Sequence, residues 1–157
     1  MAKTFVGRCS CGAARYRLTS PPMFVHACHC TECQRLSGSA FAVNAMIEAD
    51  RVETLAGEPE PAPVTGTSGR LQAIFRCPRC KVALWSHYPG AGAKVCFVRV
   101  GTLEEPARLP PDIHIFTGTK LPWVALPETI PAVEEYYSAK DYWPAASLKR
   151  RAALRDG

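Results

Sequence analysis

The cysteines of this chain come in clusters, and the clusters restrict its fold more than any other feature. Cys9 and Cys11 stand one residue apart, Cys28, Cys30 and Cys33 form C-x-C-x-x-C, Cys77 and Cys80 form C-x-x-C, and Cys96 stands alone. The first three groups adjoin strand-like segments and turns. Eight cysteines in 157 residues with no export signal suggest metal ligands rather than disulfides. The opening Met-Ala-Lys-Thr-Phe-Val-Gly-Arg lacks an h-region and cleavage site, so a cytoplasmic protein is expected.

A chain of this length forms one ordinary domain with a core of its own. Prolines number 14 and are spread throughout, which leaves little room for long helices. No run of apolar residues is long enough for a spanning helix, so no membrane partner is expected. The formal net charge is +5. Four thiolates on Zn²⁺ carry a net charge of about −2 and three carry about −1, which lowers the total to about +2. That gives little pull on a phosphate backbone and disfavours nucleic acid, although Arg76, Arg79 and Lys81 do cluster. Lys149, Arg150 and Arg151, with Arg155 beyond, read as a solvated terminal turn. The expected organisation is a single zinc-binding β domain over residues 1–143, then a short basic tail over 144–157.

The pattern is mainly β. Thr4 to Arg8, Ala13 to Leu18, Met23 to Ala27, Ala40 to Ile47, Val52 to Leu55, Leu71 to Arg76, Val82 to His87, Lys94 to Val100 and Ile113 to Phe116 read as short strands. Thr31 to Leu36 suits one helical turn. Glu58 to Gly69, rich in proline and glycine, reads as a loop. Ala132 to Ala139 suits a short surface helix, and Ser147 to Leu154 a basic terminal one. Mostly strands are expected around one core, with the cysteines at turns.

Cys9, Cys11, Cys77 and Cys80 together supply the four sulfurs of a closed tetrahedral zinc site. Sharing one ion across the long interval between the pairs would make binding energy into folding energy. A redox C-x-x-C pair or unligated thiols are the alternatives. Cys28, Cys30 and Cys33 supply three sulfurs, leaving a fourth position for water or substrate; a closed site or free thiols are the alternatives here. His26, His29, Glu32 and Cys96 are the candidate fourth protein ligands. Cys96, mid-strand, reads as a core thiol, and His29 as pointing away from the ion, a supporting donor or proton carrier, or a surface residue without a role. An ion with three thiolates is a weak Lewis acid, better suited to holding a further thiolate than to making hydroxide.

Gly7-Arg8-Cys9-Ser10-Cys11-Gly12, then Cys28-His29-Cys30-x-x-Cys33-Gln34-Arg35-Leu36-Ser37-Gly38-Ser39-Ala40-Phe41, and Phe75-Arg76-Cys77-Pro78-Arg79-Cys80 resemble the glutathione-dependent formaldehyde-activating enzyme family, which includes the domain of centromere protein V. Gly101-Thr102-Leu103, Ile113-His114-Ile115-Phe116 and Lys120-Leu121-Pro122-Trp123 resemble its C-terminal half. The resemblance implies small antiparallel sheets around zinc knuckles, an Mss4-like β-fold with short helices. It implies two Zn²⁺ per chain: a structural one on Cys9, Cys11, Cys77 and Cys80, and a catalytic one on Cys28, Cys30 and Cys33. The implied activity is a carbon–sulfur lyase that joins glutathione, or a related small-molecule thiol, to formaldehyde. Arg35, to hold a carboxylate of the thiol, and the Ser37-Gly38-Ser39 loop are placed beside the site, with His29 as an accessory. Lys81-Val82 stands where the family has Gly-Thr, so an altered turn is expected there. The competing reading is a non-enzymatic zinc module for protein or nucleic-acid interaction. Trp85, Trp123 and Trp143 suit a pocket or an interface, and the oligomeric state is open, a homodimer included.

Overall fold

The computed structural model describes residues 3–156. Its strands are β1 (Phe5–Arg8), β2 (Arg15–Leu18), β3 (Phe24–Cys28), β4 (Ala42–Glu48), β5 (Val52–Ala56), β6 (Glu60–Thr65), β7 (Leu71–Arg76), β8 (Ala83–His87), β9 (Val95–Arg99) and β10 (Ile113–Ile115). Its α-helices are α1 (Thr31–Ser37), α2 (Ala139–Tyr142) and α3 (Ala145–Asp156). Among the described residues, no helix is long and apolar enough to cross a membrane.

The strands form two sheets. β1, β2 and β5 make a three-stranded antiparallel sheet, and β10-β3-β4-β9-β8-β7-β6 make a seven-stranded one. The larger sheet departs from the small, wholly antiparallel arrangement expected, because β10 pairs with β3 in parallel. Side chains alternate across it, as the two-residue period of a strand requires. Val25, Ala45, Ile47, Cys96 and Val98 face the small sheet and pack with its Phe5, Tyr16 and Leu18. Phe24, Cys28, Met46, Phe97, Ile113 and Ile115 face the other way and pack with Trp143. All five residues of β3 are buried, since both faces of the sheet are covered there.

Three segments differ from the sequence expectation. Within Glu58 to Gly69, read as a loop, Glu60–Thr65 is the edge strand β6. An edge strand turns alternate N–H groups outward, so Pro61 and Pro63, two residues apart, remove no ladder bond. Most of Ala132 to Ala139 is irregular rather than helical, with helix only from Ala139. It lies along the free edge of β10, where the His114 N–H donates to the Pro131 carbonyl, Val133 to His114 and Phe116 to Glu135. Pairing that edge satisfies backbone groups that a surface helix would leave open.

The third difference is the basic terminus. The basic helix expected over Ser147 to Leu154 is there as α3, but it is docked on the large sheet rather than solvated. Ser147 is buried, and its Oγ donates to the Met23 carbonyl at 2.7 Å. Arg150 reaches Glu48 of β4 with two hydrogen bonds.

Candidate metal centres and the cavity between them and solvent

Cys9 and Cys11 lie in the turn between β1 and β2. The Cys9 N–H donates to the Ala14 carbonyl and the Gly12 N–H to the Cys9 carbonyl. Cys77 and Cys80 lie in the turn between β7 and β8, where the Cys77 N–H donates to Val82 and the Lys81 N–H to Cys77. One turn belongs to each sheet, and the two meet. The four sulfurs lie within 4.8 Å of one another. Cys9 Sγ to Cys11 Sγ is 3.5 Å, and Cys11 Sγ to Cys77 Sγ is 3.8 Å. A tetrahedral ion with metal–sulfur bonds near 2.3 Å requires sulfurs about 3.8 Å apart, so the donor set fits. Backbone N–H groups of Ala14 and Arg79 point at Cys9 Sγ and Cys77 Sγ, at 3.3 and 3.4 Å.

Lys81 takes a left-handed backbone conformation, φ 63°. The turn keeps the backbone that a glycine there would adopt, rather than changing shape, and the Lys81 side chain carries the strain.

The second cluster forms where β3 ends and α1 begins. Cys28 closes β3, and Cys30 is the N-cap of α1, its Sγ accepting from the Cys33 N–H at 3.3 Å. Gly38, at φ 65°, ends the helix, which runs seven residues rather than one turn. Cys28 Sγ is 3.4 Å from Cys30 Sγ, and all three sulfurs lie within 4.8 Å of one another. Hydrogen bonds from Cys28 and then Cys33 pull the Cys30 thiol down to about 2, while the same contacts push Cys28 well above the ordinary range.

These three cysteines line a cavity of about 730 Å³. Its walls include Met23, Met46, Tyr88, Phe97, Phe116 and Tyr136, and its rim carries Arg70, Lys94, Arg151 and Arg155. His26, on the same face of β3 as Cys28, lines it too. Trp143 Nε1 donates to the Tyr137 hydroxyl at 2.7 Å, and that hydroxyl shares a hydrogen bond with His26 Nε2 at 2.5 Å. Burial pushes His26 down to about 4.

The other sequence candidates are distributed differently. His29 is not at the surface: it is fully buried and lies outside the thiol clusters, with Nε2 2.9 Å from His114 Nδ1 and its ring against Phe41. Burial, then the charges of His114 and Lys120, push it down to about 4. Glu32 lines the cavity but accepts from the Thr67 N–H at 3.4 Å, outside the thiol clusters. Cys96 is a core thiol on the opposite face of the sheet, pushed up to about 12 by burial. Arg35 is exposed on α1 and is not among the residues lining the cavity. Gly38 and Ser39 line a separate shallow hollow with Trp123. The cation near the cysteines is Arg99, held by Asn44 Oδ1 at 2.5 Å and Ser86 Oγ at 2.8 Å. Its charge reaches Cys33 and opposes the burial that pushes Tyr88 up to about 12. Sheet register produces this: His26 pairs with Asn44, and Asn44 with Arg99.

Residues 4–119 match the family model described as glutathione-dependent formaldehyde-activating enzyme. A Halomonas elongata protein named "Putative glutathione-dependent formaldehyde-activating enzyme" is 29% identical over 125 residues, covering 76% of this chain and 79% of that protein. A solved Rhodobacter sphaeroides protein aligns at 17% identity with a TM-score of 0.46, covering 63% of this chain and 87% of that one. With two cysteine clusters of metal-binding geometry inside a match of that extent, the chain belongs to the glutathione-dependent formaldehyde-activating enzyme family.

Proposed function

We propose that this chain is a zinc-dependent carbon–sulfur lyase acting on a thiol adduct, joining glutathione or a similar thiol to formaldehyde or a related small electrophile. The observation that carries the reading is the three-cysteine cluster on the wall of the cavity, against the four-cysteine cluster between the sheets. Cys9, Cys11, Cys77 and Cys80 would hold a structural Zn²⁺ with no position to spare. Cys28, Cys30 and Cys33 would hold a second Zn²⁺ with one position facing the cavity. When bound there, zinc supplies a place for the substrate sulfur as a thiolate at neutral pH.

The remaining work falls to the chain. Its cavity is far larger than a one-carbon aldehyde needs and lies within the usual range for ligand sites, roughly 300–1,000 Å³. The aromatic and methionine walls exclude water around the reacting atoms. In the forward direction the thiolate sulfur forms a bond to the carbonyl carbon, the C=O π pair moves to oxygen, and that oxygen takes a proton. His26 and the hydroxyls of Tyr88 and Tyr136 are among the protic groups on the wall, and Arg99, behind it, offsets negative charge at Cys33. Positioning and charge stabilisation are sufficient for this addition.

The test is the rate of S-(hydroxymethyl)glutathione formation, followed by NMR exchange on zinc-loaded protein. Wild type is expected to exceed the spontaneous rate, and Cys30→Ser to fall to it while retaining one zinc. A wild-type rate no greater than the spontaneous one would refute the reading. Against nucleic acid as the ligand, Arg76 donates to the Lys81 carbonyl and Lys81 pairs with Glu60, so two of the three clustered cations are engaged.

A further inference from the structure

We infer that α3 is the specificity element of the cavity, with Arg151 and Arg155 binding a carboxylate of an anionic thiol substrate. The inference rests on the reading of the three-cysteine cluster as the thiol site, and it adds the substrate's charge and the residues that select it.

Arg151 and Arg155 stand one helical turn apart and both line the cavity. Like charges at that spacing destabilise a helix unless something offsets them. Among the described residues, neither lies within ion-pair distance of a carboxylate. Their neighbour Arg150 differs: its Nε and Nη2 donate to the Glu48 carboxylate and its Nη1 to the Pro21 carbonyl. Arg150 therefore anchors the helix, and among the described residues the two cavity-lining arginines have no carboxylate partner.

The arginines are also held in place. Arg151 lies over the Trp143 ring, 5.2 Å from its centroid. Ser147 Oγ ties the helix to Met23, and Lys94 Nζ donates to the Leu154 carbonyl at 3.1 Å, satisfying a group of the last turn. Lys94 adds a third positive charge to the same rim. Glu32, the carboxylate among the lining residues, belongs to α1 and is bonded to the Thr67 N–H.

Substrate chemistry fits this polarity. Three thiolates on one Zn²⁺ leave the cluster with a charge of about −1, and a bound substrate thiolate makes it more negative. A second anionic group on the same molecule is disfavoured near the cysteines and favoured at the cationic rim. Sulfur at the cluster and carboxylate at the rim is the orientation that satisfies both.

The experiment is isothermal titration of zinc-loaded protein with glutathione and with glutathione diethyl ester, which keeps the thiol but not the carboxylates. Wild type is expected to prefer glutathione by about tenfold, the range for a charged hydrogen bond reduced by solvent. Arg151→Gln/Arg155→Gln should lose that preference by weakening glutathione alone, with zinc content unchanged and cooperative unfolding retained. Arg151→Lys/Arg155→Lys should recover most of it. No preference in wild type, or an unchanged preference in the glutamine variant, overturns the inference. Cys30→Ser separates it from the reading beneath. If that variant loses both ligands, the cysteine cluster is the thiol site. If it binds both as wild type does, that reading fails, and the arginine variants still decide the role of α3.

Discussion

Glu48, the last residue of β4, is gripped by Arg150 of α3 through two bonds, Nε to Oε1 at 2.7 Å and Nη2 to Oε2 at 2.5 Å. Arg51 adds a longer contact at 3.5 Å. The carboxylate is buried while its partner is partly exposed, so the pair lies at the margin of the core. It fixes the helix that supplies the cavity's cationic rim.

Removing the arginine leaves a buried carboxylate with its main partner gone. Arg150→Gln should therefore lower stability by about 2 kcal/mol at pH 7, below the roughly 3–5 kcal/mol of a fully buried broken pair because Arg150 reaches solvent. Burial pushes Glu48 upward, but the Arg150 hydrogen bonds outweigh it and hold the group below its ordinary value of 4.5. A depressed carboxylate contributes stability above the unfolded pKa and loses it as pH falls through the folded one. Urea melts should show the difference between wild type and variant in full at pH 7 and narrowing below pH 4.5. An equal difference at every pH would show that packing, not charge, is what the arginine contributes.

Lys81 at φ 63° gives a second prediction. A side chain in the left-handed region costs about 1–2 kcal/mol, and a glycine there would relieve it at some loss of chain entropy. The Lys81–Glu60 ion pair is exposed on both sides and contributes little. Lys81→Gly is expected to stabilise the zinc-loaded protein by roughly 0.5–1 kcal/mol, whereas Lys81→Ala should not. Thermal melts of the two variants check this. Equal melting temperatures for glycine and alanine would mean that the backbone at Lys81 is not strained.

What the sequence discloses follows the range of each interaction. The cysteine clusters were readable because ligand spacing is a local property, and the strands because alternation is. The edge strand β6 was hidden because Pro61 and Pro63 are loop signals everywhere except at an outward-facing register. The cation beside the cysteines was assigned to Arg35 because it is near them in the chain. Arg99 reaches that place through the row His26–Asn44–Arg99 across three strands, and no local pattern encodes such a row. The docking of α3 depends on Glu48, 102 residues away, so its basic residues looked solvated.

The two clusters should respond differently to the same substitution. Cys77 has no exposed surface and belongs to the core between the sheets, with Cys9 nearly as deep. Cys77→Ser is expected to abolish cooperative unfolding or lower the melting temperature severely, because metal binding there is folding energy. Cys30→Ser changes a cavity-lining residue, and serine is itself a favoured N-cap, so α1 keeps its start. That variant should fold normally and contain one zinc where wild type contains two. Elemental analysis with thermal melts reads both outcomes. Equal zinc content in wild type and Cys30→Ser would mean that the three-cysteine cluster binds no metal.

Gly7 and Tyr16 face each other across β1 and β2, one residue before the turn region of the first cysteine pair. A Cβ on residue 7 would lie 2.3 Å from Tyr16 Cζ. Tyr16 has little freedom to yield: it is fully buried, its ring meets the edge of Trp85 at 5.5 Å, and its hydroxyl is 2.6 Å from Thr102 Oγ1. Overpacking of this kind costs about 1–3 kcal/mol, and Gly7→Ala is expected near the upper end because the ring is anchored at both its face and its tip. The contact, rather than the backbone, is the cause, since Gly7 is not among the glycines with positive φ. In a Tyr16→Leu background the ring is gone, so the same Gly7→Ala change should cost less than half as much. Urea denaturation of the four proteins measures that coupling, and additive losses would locate the strain elsewhere than in the Gly7–Tyr16 contact.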